Sequence, residues 1–221
     1  MDLPEISGMS KAAVEAAMDL FKKLAGPVFE EFGGLLQDQV KFWRFKNGVR
    51  ILQKAKRFLD DAGVSPQQVS LKVLISSFGD GSLEEDEAMQ DRWASLLANA
   101  ADPNSEVSVL PSFAEILKEL SPKEAAILDT LFIHATPLPP VNAKKPYSVS
   151  TVAMGVFKHE VGLSDDELEI LINNLSRLGL CLQKMNFTVS SPSGEEERGG
   201  LSLTPLGFAF VSACRPPERK R

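Results

Sequence analysis

Basic side chains are concentrated in one segment of an otherwise acidic chain. Between Gln37 and Asp61 the sequence carries seven lysine or arginine residues against three aspartates, whereas the 221 residues together have a net charge of −6. Phe42 and Trp43 lie among these cations. Basic residues interleaved with aromatic ones can bind phosphate, nucleic acid or an anionic membrane surface.

The same segment also fits a plain structural interpretation, which we favour. Long basic side chains on a solvated helix face cover apolar neighbours with their aliphatic stems, and the acidic chain offers many partners for their charges. If the segment does bind a partner, five residues are expected to form the interaction surface: Lys41, Arg44, Arg50, Lys54 and Arg57.

The residue types used in catalysis form no motif in this sequence. His134 and His159 share no characteristic spacing with each other or with the two cysteines, and HExxH, GxSxG and P-loop patterns do not occur. Acidic runs follow Ser82 and Ser164, but there they fit the first turn of a helix, where carboxylates interact favourably with the helix dipole. The sequence therefore predicts a non-enzymatic protein that uses no cofactor and no catalytic metal.

Composition indicates a soluble protein of a reducing compartment. Hydrophobic residues make up 43% and charged residues 24% of the chain, values typical of globular proteins. The sequence contains neither an apolar run of membrane-spanning length nor a secretory signal at Met1–Glu5. Cys181 and Cys214 are far apart and outside any CxxC spacing, so we expect reduced, buried thiols and a cytoplasmic location.

A long amphipathic helix must display the basic segment. From Val28 to Asp61 apolar residues recur mostly at steps of three and four, which predicts a helix of roughly 50 Å, with bends favoured at its glycines. Ser10 is expected to cap a helix before it, and Ser65 to start a short one after it. Residues 10–120 are thus predicted as a helical domain that follows a flexible leader, residues 1–9.

Three further helix starts are expected between Ser82 and Leu131. Ser82, Ser112 and Ser121 are each followed three residues later by glutamate, the spacing of a capping box. The apolar residues at helical spacing in this stretch are Met89, Trp93, Leu96, Leu97, Ala100, Phe113, Ile116, Leu117, Leu120, Ala125, Leu128 and Leu131.

This stretch resembles the Abi-alpha family. The residues that carry the resemblance are Trp93 with Leu96-Leu97-Ala98, Pro111-Ser112-Phe113, Glu115-Ile116-Leu117, Leu120-Ser121-Pro122, Glu124-Ala125 and Ile127-Leu128. The family is a bacterial domain associated by name with abortive infection, the defence in which an infected cell stops phage spread. The resemblance implies a role in anti-phage defence without implying a defined reaction.

The chain after Ser121 has a different pattern. Helices, a two-stranded hairpin between Leu180 and Leu203, and a closing helix from Leu206 to Cys214 predict a winged-helix-like α+β module over residues 121–214, with a basic tail at 215–221. The predicted fold class is therefore mainly α: a helical N-terminal unit with a long amphipathic helix, followed by this module and its small β-hairpin.

The charge of this module argues against DNA binding. Asn173 and Asn174 are residue types that read bases, but the surrounding helix is acidic, and acids repel phosphates. The charged residues of that helix are Asp165, Asp166, Glu167, Glu169 and Arg177. We therefore expect a protein-interaction protein with a host or phage protein as partner, and self-association of the long helix into a homo-oligomer.

Two other functions stay open. One is a winged-helix transcriptional regulator, in which the basic helix or the basic tail would supply the DNA contacts that the acidic module lacks. The other is binding to a membrane surface through Phe42, Trp43 and their basic neighbours.

Overall fold

The computed structural model describes residues 9–26, 39–134, 151–190 and 196–218, with the backbone alone described for residues 39–43, 185–190 and 196–198. In these ranges the elements are α1 (Lys11–Ala25), α2 (Gln39–Ala62), α3 (Leu71–Gly79), α4 (Glu87–Ala101), α5 (Pro111–Glu119), α6 (Pro122–His134), β1 (Val152–Ala153), α7 (Met154–Val161), α8 (Asp165–Arg177), β2 (Cys181–Ser190), β3 (Glu196–Leu203) and α9 (Pro205–Ala213). The predicted fold class, mainly α with a small β-hairpin, is confirmed.

The chain divides into two compact units. The helical unit comprises residues 1–119 and 213–221, and the mixed unit comprises residues 120–212. Within the helical unit, the buried amide of Asn99 donates to the carbonyl oxygens of Ala213 (3.0 Å) and Arg215 (2.7 Å). These bonds attach the C-terminal segment to α4.

The core of the helical unit forms where α2 packs against α1 and α4. Phe45, Val49 and Leu52, which the periodicity predicts as apolar-face residues, are buried. Gly48 has a packing role, because a Cβ atom there would lie 2.6 Å from a ring carbon of Phe78. Residues 28–38, over which the long helix was also expected to extend, and most of the predicted leader lie outside the described residues.

Serine caps begin three helices as predicted. The Ser10 hydroxyl accepts a hydrogen bond from the Ala13 amide (3.3 Å) at the start of α1. At the start of α6 the Ser121 amide donates to the Glu124 carboxylate (2.8 Å), and the Glu124 amide donates back to the Ser121 hydroxyl (3.3 Å). The same reciprocal bonds join Ser164 and Glu167 at α8, so both capping boxes are confirmed.

The start predicted at Ser65 is wrong. The chain stays extended up to α3, which begins at Leu71. The Gln67 amide donates instead to the carbonyl oxygen of Ala101 (2.9 Å). A tertiary hydrogen bond therefore replaces the first turn that the sequence pattern suggests.

The start predicted at Ser82 is misplaced, because α4 is capped by Asp86, whose carboxylate accepts from the Met89 amide (2.9 Å). The helix predicted to open at Pro111-Ser112 does begin there, at Pro111. Ser82 lies in a 3-10 turn and its hydroxyl donates to the carbonyl oxygen of Gly79 (2.7 Å). Asp86 directly precedes the first residue of α4 and therefore caps this helix in place of Ser82.

The mixed unit is built on a three-stranded antiparallel sheet, in the order β1-β3-β2. Val152 pairs with Leu201, and Cys181 pairs with Leu203. β2 and β3 form the predicted hairpin, and α6, α7 and α8 lie against this sheet or one another. β1 is only two residues long and directly precedes α7.

Thr204 and Gly207 set the position of α9. The Thr204 hydroxyl donates to the carbonyl oxygen of Gly179 (2.6 Å) and accepts from the Gly207 amide (2.9 Å). α9 thereby lies so close to the chain at Leu180 that a Cβ atom on Gly207 would overlap the carbonyl oxygen of Leu180. Only glycine fits at this position without moving backbone.

We predict that Gly207→Ala destabilises the protein. Alanine gains about 1 kcal/mol of helix propensity over glycine, but overpacking against backbone costs about 1–3 kcal/mol. Gly79→Ala is the matched control, because it lies at a helix end and a Cβ atom there meets nothing within 4 Å. Urea unfolding of the two variants should show a loss for Gly207→Ala alone; equal free energies of unfolding would contradict the close approach.

Candidate functional site

Side chains of α2 hold the chain between α3 and α4 in place. We call residues 79–87 the α3–α4 connection. Arg44 donates to the carbonyl oxygen of Gly79 (3.0 Å) and to the hydroxyl of Ser82 (3.3 Å). The buried amide of Asn47 donates to the carbonyl oxygens of Ser82 (3.2 Å) and Glu84 (3.1 Å). These bonds satisfy backbone acceptors that no helix or sheet partner reaches.

Lys54 anchors the far end of the same connection. Its side chain is only 16% exposed, and its ammonium lies 2.8 Å from Asp91 and 3.6 Å from the Glu87 carboxylate. It also donates to the carbonyl oxygen of Glu87 (3.2 Å). The structure therefore gives Arg44 and Lys54, two residues of the predicted interaction surface, clear structural contacts.

Arg50 and Arg57 are placed differently. Both are exposed, and neither forms an ion pair with any residue that the structure describes. Seven residues apart on one helix, they lie on the same face, about 10 Å apart along its axis. The Arg57 guanidinium lies 5.3 Å from the centre of the Phe58 ring, a cation–π distance that leaves its hydrogen-bond donors available.

These arginines line a cleft of about 520 Å³ between α2 and the start of α4. α2 contributes Arg50, Gln53, Lys54 and Arg57, and the other wall consists of Glu85, Glu87 and Gln90. The cleft thus has a cationic wall facing an acidic one. Of the five predicted surface residues, the structure brings Arg50, Lys54 and Arg57 together at this cleft.

Five polar residues of this region were not among the predicted surface residues: Asn47, Gln53, Glu85, Glu87 and Gln90. Gln90 is 3% exposed, and its amide donates to the carbonyl oxygen of Glu84 (2.8 Å). A usable signal was present on α2, where Ile51 and Ala55 lie off the predicted apolar face and are buried. They show that a second face of α2 is covered.

The remaining residues of the predicted surface lie at the start of α2. Lys41, and the aromatic residues Phe42 and Trp43 on which membrane binding would depend, have side chains outside the described residues. No helix in the part of the chain that the structure describes is long and apolar enough to cross a membrane. Binding by any of the five basic residues stays a prediction.

In the mixed unit, α8 turns one of its two base-reading residues, Asn174, inward, whereas Asn173 is exposed. The Asn174 amide donates to the buried carboxylate of Glu124 (2.6 Å). Its own oxygen accepts two hydrogen bonds from the Arg177 guanidinium (3.0 and 2.7 Å). The exposed face of α8 consists instead of Asp166, Glu169, Ile170 and Asn173, and Ile170 is 68% exposed.

An ion pair fixes the first turn of α8. The Lys123 ammonium lies 2.8 Å from the Glu167 carboxylate. Its hydrogen bond, with further bonds from the amide and hydroxyl of Ser164, lowers the pKa of Glu167 from 4.5 to about 2. Glu167 is therefore ionised over the whole physiological pH range.

His134 and the two cysteines have described surroundings. His134 lies 3.5 Å from Glu160. Cys181 and Cys214 form no disulfide and are buried, as predicted, and burial raises the pKa of the Cys181 thiol. Among the described residues no three His, Cys, Asp or Glu side chains come together as a metal site would require.

Comparison with known proteins decides the family. The model of the family described as "Abortive infection alpha" matches residues 46–214, most of the chain. The chain belongs to the Abi-alpha family. The match confirms the resemblance seen around Trp93 and extends it across both units, including Arg50, Lys54 and Arg57. No curated protein and no solved structure matches the chain.

We predict that Asn47→Ala destabilises this Abi-alpha protein by about 1–3 kcal/mol, because the carbonyl oxygen of Ser82 loses its buried donor and that of Glu84 keeps only the Gln90 amide. Gln67→Ala, at an exposed side chain of the same unit, serves as the control and should stay within about 0.5 kcal/mol of the wild type. Urea unfolding measures both. An unchanged free energy of unfolding for Asn47→Ala would show that water or other groups satisfy the connection.

The lowered pKa of Glu167 predicts a pH-dependent contribution to stability. A carboxyl group whose pKa falls on folding stabilises the fold above its unfolded pKa of 4.5, and that contribution disappears as the pH falls toward 2. Glu167→Gln should therefore lower the melting temperature at pH 7, and the difference from the wild type should shrink between pH 4.5 and pH 3. Glu169→Gln, on the same helix, is the control; a Glu167→Gln difference that is constant with pH would argue against the ion pair.

Proposed function

We propose that this Abi-alpha protein acts in abortive infection as a non-enzymatic protein that binds a host or phage protein. The family description supports the defence role. The observation that carries the interaction role is the exposed face of α8, where an apolar side chain, Ile170, is surrounded by acids. Protein interfaces typically consist of an apolar anchor within a polar rim.

The same face weighs against DNA recognition. The order α6, β1, α7, α8, β2, β3 in the mixed unit is the order of a winged-helix domain, and we interpret it as one. In that interpretation α8 occupies the place of the recognition helix. DNA recognition needs cations and free amide groups there. Asn173 is exposed, but Asn174 is engaged by Glu124, and Asp166 and Glu169 would repel phosphates.

A winged-helix regulator remains the alternative function. Its DNA contacts would have to come from cations outside α8, of which Arg50 and Arg57 are exposed. The acidic wall of their cleft, formed by Glu85 and Glu87, opposes a continuous polyanion. The interaction role therefore fits the charges on both units better.

Two further parts of the proposal concern location and assembly. Buried cysteines that form no disulfide are consistent with a reducing cytoplasm. For a homo-oligomer, the described apolar residues of α2, such as Phe45 and Leu52, are buried within the helical unit. A homo-oligomer would therefore use a surface other than the apolar face on which the sequence-based expectation rests.

The function is tested by phage challenge of cells that express the protein. Cultures should survive a low phage dose, whereas infected cells should die at a high dose. The double variant Glu169→Lys/Ile170→Lys should abolish protection and the capture of the protein partner from infected cells, because it replaces both the anchor and its acidic rim. Ile75→Lys, at an exposed apolar residue of α3, is the matched control and should retain both.

Two results would contradict this function. Equal plaque counts with and without the protein, over a panel of phages of its host, would remove the defence role. Salt-sensitive binding of purified protein to duplex DNA, with protection unaffected by the α8 variant, would instead favour the transcriptional regulator.

A further inference from the structure

The cleft between α2 and α4 has a neutralised floor. Lys54 forms its ion pair with Asp91 at 2.8 Å, and the amide of Gln90 is bonded to the connection. The charge of Lys54 is compensated by Asp91, and the Gln90 side chain is neutral, so neither group attracts a charged ligand. The recognition chemistry of the cleft therefore belongs to the side chains at its two rims.

The cationic rim presents two guanidinium groups with donors to spare. Arg50 and Arg57 stand on either side of Lys54 on one face of α2, about 10 Å apart along the axis. A guanidinium group offers planar, paired donors that fit a carboxylate bidentately. Because neither arginine forms an ion pair with a described residue, and the cation–π contact of Arg57 with Phe58 leaves its N–H donors available, both can bind such a partner without breaking an ion pair.

The opposite rim limits what that partner can be. Glu85 and Glu87 are exposed and face the arginines across the cleft. A polyanion with charge on all sides, such as nucleic acid, meets repulsion there, whereas a peptide can direct acids to one side and neutral groups to the other. The Gln53 amide, whose contact to a described residue is a long one to Met9 sulfur (3.9 Å), can pair with peptide groups.

We propose that this cleft binds an acidic segment of a partner protein, in an extended conformation, with carboxylates that recur about 10 Å apart along one edge. The inference rests on the proposed function in that it names the chemistry of a protein partner. It concerns a surface separate from α8, so each can fail without the other.

The test uses a peptide of defined shape. In a polyproline II helix residues rise about 3.1 Å each, so fluorescein-labelled (Glu-Pro-Pro)4 presents one glutamate about every 9 Å on one edge. Fluorescence anisotropy with the full-length protein should show saturable binding that weakens with salt. The uncharged analogue (Gln-Pro-Pro)4 and single-stranded dT12 should bind at least about tenfold more weakly, since each lacks the matched carboxylates.

Variants locate the site. Arg50→Glu/Arg57→Glu should weaken peptide binding about tenfold or more, and Arg50→Gln/Arg57→Gln should weaken it by a smaller factor. Lys23→Glu/Lys72→Glu makes the same change in net charge at exposed lysines outside the cleft and should retain binding. Circular dichroism confirms that each variant is folded.

Several outcomes would overturn the inference. The first is that (Glu-Pro-Pro)4 does not bind at low salt, or that its glutamine analogue binds equally well. The second is that the lysine control loses as much peptide binding as the Arg50/Arg57 variant. The third is that dT12 binds more tightly than (Glu-Pro-Pro)4, which would make the cleft a nucleic-acid site. Failure here, together with phage protection that depends on Ile170, would leave the proposed function standing. Peptide binding without any protection against phage would support the cleft inference and contradict the proposed function.

Discussion

The carbonyl oxygens of the α3–α4 connection need hydrogen-bond donors, and α2 supplies them. The connection runs through a 3-10 turn and an extended stretch, so its carbonyl groups at Gly79, Ser82 and Glu84 have few backbone partners of their own. Buried acceptors without donors are costly, which explains the bonds of Asn47 to Ser82 and Glu84; Arg44 and Lys54 bond to more exposed carbonyl oxygens at the two ends of the connection. This one constraint fixes α2 against α4 and shapes the cleft between them.

The basic residues of α2 fall into two groups, those that contact the connection and those that do not. Arg44 and Lys54 reach the connection and are held there, whereas Arg50 and Arg57 project from the same helix without a described ion pair. In the mixed unit the sorting is similar: Lys123 and Glu167 fix a helix start, and Asp166 and Glu169 remain exposed beside Ile170. Each unit thus keeps some charges for its fold and presents others, basic on α2 and acidic on α8. Such surfaces suit protein partners of opposite charge.

How much the sequence could predict depended on whether a signal was local. Ser121 with Glu124 and Ser164 with Glu167 form capping boxes because each bond closes within one turn, and the apolar residues around Trp93 are buried because their spacing follows the helix period. Ser82 has the same spacing to glutamate and fails, because its hydroxyl bonds to Gly79 and Arg44, 38 residues away in the latter case. Long-range partners of this kind leave no local pattern.

The features of the candidate site also divide into those with a local sequence signal and those that depend on long-range contacts. Its basic residues were visible from composition alone, but the separation of Lys54 from Arg50 and Arg57 depends on the position of Asp91 and Glu87 on a different helix. The only sequence signal for the buried position of Asn47 was Ile51 and Ala55, which share a second face of α2 with it. The family could be recognised from the sequence, because the residues that identify it are helix caps and core positions close together along the chain.

The division of the α2 cations is tested most directly by the free energy of unfolding of two double variants, measured in urea at the same salt concentration. Arg44→Ala/Lys54→Ala should lose about 2 kcal/mol, since carbonyl oxygens of the connection lose charged donors. Arg50→Ala/Arg57→Ala should stay within about 0.5 kcal/mol of the wild type. Equal losses in the two variants would contradict the account, because they would show that all four cations serve the fold and that none is reserved for a partner.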